Sequence, residues 1–92
     1  MDIIATDASY IVFAEVKTRS SDTPYAPREA VTAGKRRRLI ATAGLYLSRY
    51  PSPLQPRFDV IEVLTEANHP MEVVEINHIL GAYEAGDLSA AF

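Results

Sequence analysis

The sequence predicts a small α/β or α+β domain in which one helix covers a mixed β-sheet. Two apolar, β-branched segments precede a long segment with helical spacing, and two more follow it. A chain of 92 residues buries one small core and not two. We therefore expect residues 1–92 to form one domain with the element order β-β-α-β-β.

The first half of the chain predicts a β-hairpin followed by the helix. Residues 2–6 are apolar and β-branched, residues 10–18 are rich in Ile, Val and Phe, and the turn-forming residues 6–9 separate them. Residues 20–27 read as a loop, and Thr32 is a suitable N-cap for a helix that runs to about Arg49, before Pro51. Apolar residues at spacings of three and four give this helix one stripe that faces the sheet: Leu39, Ile40, Ala43, Tyr46, Leu47 and Tyr50.

The second half predicts a second hairpin. Residues 58–64 and 71–76 have strand composition, and residues 68–70 form the turn between them. Residues 77–83 fit either a helical turn or the end of a strand, and residues 84–92 are expected to form a loose tail. Acidic residues alternate with apolar ones, which favours a solvent-facing sheet surface that carries Glu62, Glu66, Glu72 and Glu75.

The amino-acid composition limits the classes of protein to which this chain can belong. There is no run of about 20 apolar residues and no basic segment followed by an apolar one at the start, so a cytoplasmic protein without a membrane partner is expected. The lack of cysteine excludes disulfides and thiolate metal sites. Residues 1–50 carry a net charge of +3 and residues 51–92 one of −6, so one face is expected to meet an anion.

The charged end of the second strand is the candidate for chemistry. Side-chain alternation places Glu15 and Lys17 on one face, and the hairpin can bring Asp2 close to Glu15. Two neighbouring carboxylates are stabilised by a hard divalent cation, and such a cation suits phosphodiester hydrolysis. A Glu-x-Lys triplet is common, however, and a solvent-facing salt bridge at the end of the strand is the alternative interpretation.

Several segments together resemble a known family. They include Glu-Val-Lys-Thr-Arg at 15–19 and Arg-Phe-Asp-Val at 57–60, with residues 1–4, 30–31, 46–47, 76–79 and 82–83 in matching order. The chain is identified as a member of the YraN-like family of uncharacterised bacterial proteins, which is similar to Holliday-junction resolvases and to the PD-(D/E)XK nucleases. The resemblance implies a restriction-endonuclease-like core and a metal-dependent endonuclease that acts on duplex or branched DNA.

The resemblance also implies roles for individual residues. Asp2 matches the family's metal-binding aspartate, and Glu15 and Lys17 match its catalytic Glu-x-Lys pair. With the carbonyl of Val16 as an additional ligand, these residues would hold Mg²⁺ or Mn²⁺. Lys35 matches a basic position at the start of the family's helix that helps to hold phosphate.

The basic run that opens the helix suggests a contact with nucleic acid. Arg36 is expected to lean toward the sheet, whereas Arg37 and Arg38 should face solvent. With Lys35 and Arg19 they would follow the phosphate backbone without reading the DNA sequence. An ordinary solvated helix start is the alternative.

The sequence departs from the family at its beginning. Family members start earlier, with a helix, a first strand and a Gly-Glu pair before the aspartate, so an N-terminally truncated core that lacks two acidic groups is expected. Two other functions therefore stay open. One is a catalytically disabled DNA-binding module, and the other is a protein-interaction module, with a homodimer among its forms.

Overall fold

The computed structural model describes residues 1–22 and 31–84, and it contains the predicted elements in the predicted order. The strands are β1 (Ile3–Thr6), β2 (Tyr10–Ser20), β3 (Gln55–Glu66) and β4 (His69–Tyr83), and the helix is α1 (Ala33–Arg49). They form a four-stranded sheet in the order β1-β2-β3-β4, in which the outer pairs are antiparallel and the central β2–β3 pair is parallel. A mixed sheet with one helix confirms the predicted fold class. Residues 23–27 of the predicted loop and 85–92 of the predicted tail lie outside the described residues.

An aspartate closes the β1–β2 hairpin. Asp7 Oδ1 accepts hydrogen bonds from the N–H groups of Ser9 at 2.8 Å and Tyr10 at 2.7 Å, and these bonds lower the pKa of Asp7. The hairpin pairs Ile3 with Ala14, so the next position outward places Asp2 opposite Glu15.

Helix α1 begins and ends where the sequence predicts. The Thr32 hydroxyl accepts a hydrogen bond from the Lys35 N–H at 3.2 Å, which caps the first turn. Leu39 and Ala43 are buried against the sheet. Tyr50 was predicted on the same stripe but is 55% exposed, because it follows the last helical residue. Its ring packs against that of Tyr46. No helix in the described ranges is long and apolar enough to cross a membrane.

The core lies between α1 and one face of the sheet. Phe13, Phe58 and Tyr83 come from three adjacent strands and stack in a row, with ring centroids 5.7 and 5.2 Å apart. Tyr46 of α1 meets Phe13 edge-on. The row joins three strands to the helix, and the remaining buried members of the core are Ile11, Val31, Leu39, Ala43 and Val60.

The β3–β4 hairpin is longer than the sequence predicts. Its turn is at residues 67–68, so His69 and Pro70 belong to β4 and not to the turn. Residues 77–83 continue the strand. A register shift between Phe58 and Val60 is accommodated at Gly81, whose φ of 57° lies in the left-handed region that favours glycine.

A buried aspartate fastens this irregular pairing on the sheet face that α1 does not cover. Asp59 is fully buried, and its carboxylate accepts hydrogen bonds from the Arg57 guanidinium at 2.9 and 3.0 Å, from Gly81 N–H at 2.9 Å and from His78 Nε2 at 2.8 Å. Burial raises the pKa of Asp59, but these bonds outweigh it and the net pKa is lowered. Asp59 thus orients Arg57 and the Gly81 backbone, and His78 is a hydrogen-bonded side chain of the same cluster.

Replacing Asp59 by Asn should destabilise the fold by about 2 kcal/mol at pH 7, because the substitution removes a buried, hydrogen-bonded charge. A lowered pKa means that the stabilisation is present above the ordinary aspartate pKa and is lost as the pH falls through the folded-state value. The difference between the two proteins should therefore shrink below about pH 4. Urea unfolding from pH 3 to 8 measures it, and Glu72→Gln on the exposed part of β4 is the matched control. A difference independent of pH would contradict this account of Asp59.

Candidate active site

The candidate site lies where the first turn of α1 crosses the second half of β2. Because β2 and β3 are parallel, the connecting helix starts at the carboxyl ends of these strands. Glu15 shares a sheet face with Phe13, and this face is the one that α1 covers. The basic start of α1 is thus brought onto the charged end of β2.

Glu15 is a buried carboxylate at the centre of the site. Glu15 is 6% exposed, and its Oε1 lies 3.1 Å from Lys35 Nζ. Oε2 is also buried, and no donor in residues 1–22 or 31–84 makes a hydrogen bond to it. The N-terminal ammonium of Met1 lies 3.8 Å from this oxygen, which is within ion-pair range but without a hydrogen bond. A buried carboxylate that lacks one hydrogen bond leaves an oxygen available to a further cation.

Asp2 reaches the same place from β1. Its Oδ2 accepts a hydrogen bond from Val16 N–H at 2.8 Å, and its own N–H donates to Ala14 O at 3.3 Å. These two bonds hold the Asp2 carboxylate beside the Val16 peptide, across from Glu15. The three predicted metal ligands, Asp2, Glu15 and Val16, are therefore brought together by the hairpin.

The residues present fit a hard divalent cation. The unsatisfied Glu15 oxygen supplies a ligand that the described protein atoms leave without a donor. In the described part of the chain, no group of three or more His, Cys, Asp and Glu side chains could hold a metal ion, so protein carboxylates would not complete the coordination. Mg²⁺ is commonly bound by one or two carboxylates, while water and substrate phosphate fill the remaining positions. A pair of carboxylates with a neighbouring carbonyl suits that pattern.

Lys17 and Lys35 are neighbours beside Glu15, and their pKa values depend on each other. Interaction with the Lys35 amine, together with partial burial, lowers the pKa of Lys17. The Lys17 amine and the Glu15 carboxylate together raise the pKa of Lys35. The predicted catalytic lysine therefore loses its proton more readily than an ordinary lysine, whereas Lys35 keeps its charge.

The basic run at the start of α1 divides into packed and exposed members. Arg36 is half-buried, since its Nε donates to Val31 O at 3.0 Å and its guanidinium lies 5.6 Å from the centre of the Tyr83 ring. Arg37 and Arg38 are exposed. The predicted orientations are confirmed, and the two exposed arginines lie within one turn of Lys35.

Glu62 was predicted to lie on a solvent-facing surface, and this prediction is wrong. It is 1% exposed, and the Arg19 guanidinium lies 2.6 Å from its Oε2, while Asn77 Nδ2 donates to Oε1 at 3.3 Å. It pairs with Lys17 across β2–β3, so it sits beside the site. The spacing in the sequence could have indicated this burial. Side chains two positions apart in a strand share a face, so Glu62 lies on the same face as the apolar residues Phe58 and Val60. Glu72 and Glu75 are exposed, as predicted.

Tyr83 is a further residue near the site that no local sequence pattern indicated. It is 5% exposed, and burial raises the pKa of its phenol to about 12, with the Glu15 charge adding to the shift. Tyr83 therefore stays neutral at physiological pH and forms part of the wall between the core and the site. Only the tertiary structure brings it near Glu15, which is 68 positions away in the sequence.

Comparisons with known proteins place the chain in a family. A family model described as "Uncharacterised protein family UPF0102" matches residues 1–63, and the chain belongs to this family. A UPF0102 protein of Chlorobium phaeobacteroides is 44% identical over 87 residues, which cover 90% of this chain and 68% of the relative. One of Symbiobacterium thermophilum is 53% identical over 64 residues, which cover 68% of this chain and 54% of the relative. One of Oleidesulfovibrio alaskensis is 49% identical over 71 residues, or 76% of this chain and 35% of the relative.

The predicted YraN-like family is thereby confirmed. The chain spans roughly a third to two thirds of the length of these three relatives. The family model covers β1, β2, α1 and most of β3, so it includes Asp2, Glu15, Lys17 and Lys35.

Lys17 should titrate below Lys35 because the two neighbouring amines affect each other and Lys35 also contacts Glu15. The chain contains only these two lysines, so NMR of the ¹³Cε–Hε signals against pH resolves both. Lys35→Met should move the pKa of Lys17 back toward the ordinary value of about 10.4. Arg37→Met removes an exposed charge nearby and should leave Lys17 unchanged. Equal titration of the two lysines in the unmodified chain would contradict the pairing.

Proposed function

We propose that this chain is a metal-dependent endonuclease domain that hydrolyses phosphodiester bonds in duplex or branched DNA. The observation that carries the proposal is the buried Glu15 carboxylate, which has one oxygen without a hydrogen-bond donor, contacts Lys35 and lies on the hairpin that holds Asp2. Membership of an uncharacterised family does not itself supply an activity.

The residues of the site have complementary roles in this proposal. Asp2, Glu15 and the Val16 carbonyl would hold Mg²⁺ or Mn²⁺. A divalent cation bound there would lower the pKa of water and offset charge on the scissile phosphate. Lys17, with its lowered pKa, would hold or exchange a proton next to the attacked phosphorus. The cluster thus combines a place for the cation with a proton carrier on the same face of β2.

DNA would be held through its backbone. Arg37 and Arg38 are exposed, and their place beside Lys35 would let them contact phosphates that flank the site. Arg36 and Arg19 are engaged with Val31 O and with Glu62, so we propose that they support the same surface from its packed side. Phosphate contacts of this kind do not distinguish sequences, and a DNA substrate implies a cytoplasmic protein.

Cleavage tests the catalytic part of the proposal. With Mg²⁺ or Mn²⁺, the unmodified chain should nick plasmid or branched DNA, and Glu15→Gln should reduce the rate at least about 100-fold because it removes a cation ligand. Lys17→Met should have a similar effect through the lost proton carrier. Glu75→Gln, the same change at an exposed site on β4, should retain the full rate. Binding of DNA without cleavage under any divalent cation would overturn the nuclease and leave the DNA-binding module.

DNA affinity tests the contact surface separately from catalysis. Measured by fluorescence anisotropy in EDTA, the double variant Arg37→Gln with Arg38→Gln should bind a labelled duplex about tenfold more weakly. It should also lower the slope of log K against log salt concentration by about 2. Arg49→Gln, an exposed arginine at the other end of α1, should stay within about twofold of the unmodified chain. Equal losses in both variants would show that the basic run has no special role.

A further inference from the structure

The contact between Lys35 and Glu15 has a consequence that depends on the proposed function. Lys35 Nζ lies 3.1 Å from Oε1 of the carboxylate that would hold the divalent cation. The ammonium group therefore neutralises the same charge that the cation would neutralise. Both groups cannot gain the full attraction of a single buried carboxylate.

The local charge balance supports a competition between Lys35 and the cation. The charged groups at the site are two carboxylates, Asp2 and Glu15, two lysine amines, Lys17 and Lys35, and the N-terminal ammonium of Met1, which lies 3.8 Å from Glu15 Oε2. Lys35 is the amine placed against Glu15, because its Nζ lies 3.1 Å from Oε1 of that carboxylate. A divalent cation that binds while Lys35 contacts Glu15 adds charge to a site whose carboxylates are already neutralised. A cation that binds after Lys35 has moved away meets a Glu15 carboxylate that Lys35 no longer neutralises.

Lys35 is also placed to leave Glu15 for a phosphate. It lies in the first turn of α1, its side chain is 29% exposed, and it is followed by the exposed Arg37 and Arg38. A phosphate drawn to these arginines offers the Lys35 ammonium a second anionic partner, while its long flexible side chain allows the exchange. Loss of the Lys35 contact then frees Glu15 Oε1.

We propose that Lys35 is an internal cation that links the binding of the divalent cation to the binding of DNA. In the free protein it occupies Glu15 and weakens binding of a divalent cation, and when DNA is bound it transfers to a phosphate and the cation binds more tightly. By linkage, the cation must strengthen DNA binding by the same factor. Lys35 is thus a positioning and regulatory residue, which makes cation binding depend on substrate.

Cation affinity without DNA tests the competition. Mn²⁺ binding, followed by the EPR signal of the free ion, should be about tenfold tighter in Lys35→Met than in the unmodified chain. Lys35→Arg keeps the positive charge and should bind like the unmodified chain. Arg49→Met removes the same charge far from the site and should differ by no more than about twofold. Equal Mn²⁺ affinity in the Lys35→Met variant and the unmodified chain would overturn the proposal.

The coupling is measured from the DNA side. Anisotropy with a labelled duplex, at constant ionic strength, gives the ratio of Kd in EDTA to Kd in Mg²⁺ for each protein. This ratio should be about tenfold larger in the unmodified chain and in Arg49→Met than in Lys35→Met. Equal ratios would overturn the coupling and leave the nuclease proposal intact. Failure of every variant to bind Mn²⁺ would overturn both, and binding by Lys35→Met alone would support the competition directly.

Discussion

The parallel pairing of β2 with β3 is the constraint on which the rest of this structure depends. It requires a connection that returns over the sheet, and α1 supplies that connection while its stripe buries Phe13 and Phe58. The start of the helix must then lie at the carboxyl ends of the two strands. Packing of α1 on the apolar face of the sheet therefore also brings the Lys35 side chain into contact with Glu15.

The site is held by interactions of opposite character. Hydrogen bonds to main-chain groups of the β1–β2 hairpin, including the one that Val16 N–H donates to the Asp2 carboxylate, fix Asp2 relative to Val16 and Glu15. The contacts to Lys35 and Lys17 are electrostatic, and they respond to any ion that enters. Carboxylates tied to the sheet backbone beside long lysine side chains would suit the proposed exchange of partners, because the backbone would not have to move for the charges to rearrange.

Buried acidic residues outside this site stabilise the sheet instead. Asp59 joins β3 to β4 on the face away from α1, where Arg57, His78 and the Gly81 N–H satisfy both of its oxygens. Glu62 is satisfied by Arg19 and Asn77. Glu15 differs from both because one of its oxygens has no donor in the described part of the chain. That difference separates a candidate functional carboxylate from two structural ones.

The sequence by itself determined the order of the elements, the bounds of α1 and the face shared by Glu15 and Lys17, because local periodicity, capping and side-chain alternation act over a few residues. It also predicted the approach of Asp2, since a short hairpin leaves little choice of register. It misplaced Glu62 and Tyr50, because charge and helical spacing do not reveal whether a neighbouring element covers a position. The contact of Lys35 with Glu15, the burial of Glu62 by Arg19 and the approach of Tyr83 were decided only by the tertiary structure. They join residues far apart in the chain, and their energies arise from burial and charge pairing that no local pattern records.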